Sequence, residues 1–217
     1  MGHDRDVSRP FRATSVRAEL TLLAHNGIIA SMPLALETLA LIAEDHDGVI
    51  PAAAARRAGI SANTLVKLAT RGRLQRVARG VYKLPIYPQS RARYAQFHEA
   101  LALLSASKGP RAAISHESAL EVWGLSDASS TKVHATIPPT VRLRRDVPPW
   151  MKVHRADLLD DEVEQSHGLL VTSVERTISD MIEIGRHDLG LQAVRDALAS
   201  GILTKARANR LIRSRAI

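Results

Sequence analysis

The 217-residue chain contains no cysteine. That absence removes disulfides, thiolate zinc sites, cysteine nucleophiles and zinc deaminases of the HxE…PCxxC kind together, and it fits a reducing cytoplasm. Aromatic residues are nearly as scarce at 3%, so the core must come from Leu, Val, Ile and Ala. No run approaches the ~18–20 consecutive apolar residues that span a bilayer. Residues 1–20, MGHDRDVSRPFRATSVRAEL, mix acids with arginines and lack the apolar stretch of a secretory signal. The expectation is a cytoplasmic protein with no membrane partner. Enzyme signatures are missing as well: there is no GxSxG elbow, no Walker loop, no HExxH and no Asp/Glu-x-Lys. Ser115-His116-Glu117 are adjacent, whereas the members of a catalytic triad converge from separate elements. Neither catalysis nor a cofactor is expected.

Acid is also missing, and locally. Residues 1–95 hold 14 Lys/Arg against 7 Asp/Glu, while residues 96–217 hold 16 against 15. Between Asp47 and Glu99 no acidic residue occurs at all. A solvated face mixes both signs, so a one-signed block points to a polyanionic partner.

What is present is 45% apolar residues, enough for a globular core. Residues 1–31 read as an N-terminal arm ending in a short helix at 18–25, and residues 32–85 as a first domain. There, a helix over 34–45 carries Leu36, Leu39, Ala40 and Ala43 at helical spacing. A short strand GVI, a helix opened by Pro51 and closed by Gly59, and a third helix capped by Ser61 follow. Leu65, Leu68 and Ala69 form the buried stripe of that third helix. Two extended runs, 74–78 and 81–84, flank Arg79-Gly80 as a hairpin. Three helices and a hairpin are the order of a winged helix-turn-helix. Residues 86–92 read as a linker. Residues 93–217 read as a mixed α/β domain, with helices at 93–107, 115–123 and from 174, strands at 133–137, 151–155 and 169–172, and two closing helices. Residues 138–150 read as a loop with a short strand. The fold class is α+β.

Asn63, Thr64 and Lys67 lie off the Leu65/Leu68 stripe, where a recognition helix meets base edges. Asn pairs with adenine, and Thr reaches the thymine methyl or accepts a hydrogen bond. Arg71, Arg73 and Arg76 follow as phosphate neutralisers, Arg79 stands at the wing tip for a minor groove, and Arg56 and Arg57 precede the turn. Ser61 alone is simply a cap. In the second half, His116, His134 and His154 match no ligand-set spacing, so no metal is expected and hydrogen-bonding roles are favoured. Glu175, Arg176 and Asp180 suggest an ion-pair group, with Arg176 and Asp180 at i,i+4.

Residues 59–84 (GISANTLVKLATRGRLQRVARGVYKL), with ISHESALEVWGL, KVHATIP, VHRADL and HGLLVTSVERTISDM after them, resemble the AbiEi family of antitoxins of type IV toxin–antitoxin systems. The resemblance spans about residues 34–200. It implies an N-terminal winged helix that represses its own operon at inverted repeats in promoter DNA, and a C-terminal domain that counteracts a nucleotidyltransferase-like toxin. It adds Ser61 and Lys83 to the DNA-binding residues. It also marks Ser115, His116, Glu117, Trp123, His134, His154, Arg155, Thr172, Ser173, Glu175, Arg176 and Asp180 as antitoxin-domain motif positions without assigned roles. Similar proteins often continue into an endonuclease-like domain, which a chain ending at Ile217 is expected to lack; residues 1–31 precede the matching part, so a start at Met32 is conceivable. Two alternatives stand beside this reading: a transcription regulator without a toxin, and an enzyme that modifies the toxin.

Overall fold

A computed structural model describes residues 32–105, 112–126, 130–143 and 146–214; the arm and short helix expected in residues 1–31 lie outside the described residues. Helix α1 (Met32–Glu44) buries Ala35, Leu39 and Ala43. The stripe is rotated slightly from the expected one, because Leu36 and Ala40 are only half-buried at its flank. Strand β1 (Val49–Pro51) leads into α2 (Ala52–Arg57), and a tight turn leads to α3 (Ala62–Thr70). Gly72 ends α3 with φ +69°, a left-handed value that glycine takes without a steric penalty. Strands β2 (Gln75–Ala78) and β3 (Val81–Lys83) then form the hairpin, and β1 joins its other side in the antiparallel order β1-β3-β2. The expected winged helix is present.

The second unit begins with α4 (Ala95–Leu104), followed by β4 (Ala113–Ile114), α5 (His116–Trp123), β5 (Val133–Ile137) and β6 (Met151–Arg155). Strands β7 (Val163–Ser166) and β8 (Leu169–Thr172) precede α6 (Val174–Glu183), α7 (His187–Ala199) and α8 (Lys205–Ser214). The sheet order is β6-β5-β4-β8-β7, with β5/β6 and β4/β8 parallel and the other pairs antiparallel. Two of these strands escape a pattern search. β4 has two residues, and β7 (VEQS) is a polar edge strand with no apolar alternation to reveal it. Among the described residues of 138–150 no strand forms. Among the described residues three cores result: one inside the winged helix, one between the five-stranded sheet and α4, and one joining α5 to α6, α7 and α8.

The two units share buried surface. Side chains alternate across a strand, so Ile50 and Tyr82 point into the winged-helix core while Val49 and Val81 join the core of α4 and the second sheet. Polar contacts close the same seam. The Tyr94 backbone N–H donates to Asp47 Oδ2 at 2.6 Å, and Lys83 Nζ lies 2.5 Å from Glu99 Oε2 on α4. Residues 86–92, read as a linker, include a single 3-10 turn at Gln89–Arg91.

Candidate nucleic-acid interface and a histidine-centred polar cluster

The start of α3 is fixed by Ser61, whose Oγ accepts from the Thr64 backbone N–H at 3.1 Å and shares a hydrogen bond with Thr64 Oγ1 at 2.9 Å. Thr64 therefore spends its hydroxyl on the cap. Leu65 and Leu68 are buried, Ala69 is half-buried, and Asn63, Val66 and Lys67 are exposed. Positions three and four apart share a helix face, so Asn63, Val66, Lys67 and Thr70 form one outward strip. Val66 was missed in the sequence. It is 45% exposed and belongs to the strip by its i,i+3 spacing from Asn63.

Cations surround this strip. Arg56 and Arg57 are exposed at the end of α2, Arg71 and Arg73 just beyond α3, Arg76 on β2 and Arg79 at the hairpin tip. A register shift between Arg76 and Ala78 kinks the hairpin, and Val77 and Ala78 pack against the second unit's core. Bulges of this kind bend and re-aim a strand. Lys83 departs from the group. It sits in the central strand and its ammonium is taken by Glu99, the acid that ends the one-signed block in sequence.

The second-unit motif residues divide into two clusters. Parallel pairing sets Thr136 opposite His154, and the two-residue period puts His134 on the same face. α5 packs there, and His116 enters it with φ +55°, a value uncommon for a residue bearing a side chain. The His116 and His154 rings stack at 3.6 Å between centroids, with His134 at 5.8 and 5.1 Å from them. His116 Nδ1 shares a hydrogen bond with Ser115 Oγ at 2.9 Å, and Thr136 Oγ1 donates to the same Ser115 Oγ at 2.8 Å. Glu117 lies 3.0 Å from His134 Nε2 and 2.6 Å from an Arg186 nitrogen. Burial, then the neighbouring rings and Lys152, push His116 down to about 3. Burial also pushes His134 and His154 to about 4, helped by Lys152 in both and by His134 in the case of His154. All three rings are neutral at pH 7.

Arg176 centres the other cluster. Its Nε donates to Asp180 Oδ1 at 2.7 Å and Nη1 to Glu162 Oε2 at 2.6 Å and the Asp157 carbonyl at 3.0 Å. Glu175 leaves this group and pairs with Arg207 instead. Burial lifts the Asp180 carboxyl above its ordinary value against the pull of Arg176. Its Oδ2 is a buried acceptor without a hydrogen-bond partner among the described residues. Glu162, Glu175, Arg176 and Arg207, with Asp161, Ser173 and Ser179, line an open polar cleft of about 270 Å³. The remaining motif residues hold the frame. Trp123 Nε1 donates to the Thr172 carbonyl at 2.9 Å, Thr172 Oγ1 meets Thr177 Oγ1 at 2.7 Å, and Ser173 caps α6. Arg155 donates to the Val141 carbonyl at 2.8 Å.

No helix among the described residues is long and apolar enough to cross a membrane. No curated protein matches the chain. Residues 37–85, from α1 through the hairpin, match the family model described as transcriptional regulator, AbiEi antitoxin. The match covers the winged helix and less than half of the chain, so the likeness to AbiEi antitoxin transcriptional regulators is one of that unit.

Proposed function

We propose that this protein is a non-enzymatic antitoxin that represses its own operon by binding promoter DNA. Helix α3 enters the major groove, and Asn63 meets base edges there. Arg79 reaches a minor groove from the hairpin tip, and Arg56, Arg57, Lys67, Arg71, Arg73 and Arg76 neutralise phosphates. The observation that carries this reading is the acid-free block, folded as a helix-turn-helix and wing with these cations exposed. If all seven engage, log affinity should fall with log salt at a slope on the order of −6, from about −0.9 per phosphate. The second unit is assigned to a nucleotidyltransferase-like toxin, a role supported by the antitoxin description of the matched family.

The DNA reading is tested by fluorescence anisotropy on the protein's own promoter over a salt series. Arg76→Ala and Arg79→Ala should each flatten the slope by about 0.9, and Asn63→Ala should mainly relax base preference, by roughly 1–3 kcal/mol of discrimination. Unchanged binding in all three variants would overturn the assignment of helix and wing. The antitoxin reading is tested separately, by co-expression with an adjacent nucleotidyltransferase-like protein. Growth rescue supports it; toxicity without rescue leaves a transcription regulator that lacks this partner.

A further inference from the structure

Three imidazoles converge where β5, β6 and the start of α5 meet, and nothing in promoter recognition uses them. One ligand nitrogen from each of His116, His134 and His154 lies within 4.8 Å of the other two. The outer nitrogens of two rings are held: Nδ1 of His116 by Ser115 Oγ and Nε2 of His134 by Glu117. A carboxylate on the far nitrogen is the arrangement that orients a metal-bound histidine and raises its basicity. It leaves His134 Nδ1 facing His154 Nε2 at 3.2 Å, where two ring nitrogens share one hydrogen or flank one cation.

We propose that His116, His134 and His154 form a three-histidine site for a divalent transition metal, with Zn2+ the best match to three imidazole nitrogens. Geometry supports the set. With metal–nitrogen bonds of ~2.0–2.1 Å in a tetrahedron, imidazole centroids lie roughly 5 Å apart. The His134–His154 separation is 5.1 Å and the His116–His134 separation 5.8 Å. The stacked His116–His154 pair, at 3.6 Å, must open to admit the ion. His154 is the half-exposed ring of the three, so rotation there disturbs the least packing. Lys152 acts on all three from outside and opposes a dication. Its charge favours hydroxide or another anionic ligand at the open fourth position. This site is independent of the promoter reading and needs no DNA.

The full chain, without an added histidine tag and stripped of metal, is titrated with Zn2+ against a chromophoric chelator and with Co2+ by visible absorption. The expected result is one tight equivalent with a tetrahedral Co2+ spectrum. His154→Ala should weaken binding more than tenfold, Glu117→Gln by about 10–100-fold, and Lys152→Gln should tighten it. Circular dichroism checks that each variant is folded, and the exposed Lys152→Gln remains informative if a buried variant is not. No saturable binding by the folded chain overturns the proposal. So does binding that none of the three substitutions changes, which would place the metal on other histidines and leave this cluster a hydrogen-bond network.

Discussion

At Thr64 and Lys83, residue type suggests DNA contact while the local hydrogen bonds assign other work. The Thr64 hydroxyl is bound to Ser61 Oγ, so only its methyl is left to meet a base. Ser61→Ala should cost about 1 kcal/mol of stability through the lost cap, measured as a lower urea midpoint. Lys83 is paired with Glu99 across the seam. Lys83→Gln should therefore leave the salt slope of promoter binding unchanged and lower the urea midpoint, whereas Arg76→Gln should do the reverse. An equal loss of slope from both would place Lys83 on the phosphate backbone. Residue identity was legible in the sequence in both cases. The partner was not, because Glu99 lies sixteen residues from Lys83 in the chain and on another element.

At the scale of elements, the β7–β8 turn shows how one hairpin docks the units. His167 and Gly168 both have positive φ, 50° and 73°, the pattern of a tight type I′ turn. A Cβ on Gly168 would stand 2.7 Å from the Asp45 carbonyl oxygen, so contact with the α1–β1 loop requires glycine. Gly168→Ala should cost roughly 1–3 kcal/mol in urea unfolding, while the more open Gly201, also at positive φ, should cost less when substituted because nothing lies within 4 Å of its Cβ position. Strands of five residues with strong β-formers, VHATI and MKVHR, were legible at their ends. β7 was not, since an edge strand facing water needs no apolar alternation.

For the whole molecule, a shared core predicts shared unfolding. Val49 lies on the winged-helix sheet but packs in the core of α4 and the second sheet. Val49→Ala should cost about 2 kcal/mol and shift the transition seen by Trp123 and Trp150 fluorescence, although both tryptophans lie in the other unit. Two separate transitions would show that the units unfold independently. Acid stability follows from three buried histidines and the half-buried His154. His98, His134 and His154 are lowered to about 4 and His116 to about 3, in every case first by burial. Below the unfolded value of 6.5 the unfolded chain takes up protons that the folded chain refuses. Stability is thus full above about pH 6.5 and falls toward pH 4, by up to roughly 1 kcal/mol per histidine per pH unit. Urea midpoints at pH 7 and pH 5 test this, and His98→Asn should reduce the difference.

The sequence by itself determined the winged helix, because its signals are local: a capping serine, turn glycines, an apolar stripe, and an acid-free run whose charge does not depend on what it packs against. For the second unit it marked motif positions through a family resemblance, without giving them roles. Only the tertiary structure decided that Val49 and Val81 join two cores, that Glu175 turns to Arg207 while Arg176 gathers Asp180 and Glu162, and that His116, His134 and His154 share one face. The physical reason is that these groupings arise from strand register and helix docking, which bring together side chains far apart in the chain, Val49 and Val171 among them, and leave no spacing to read.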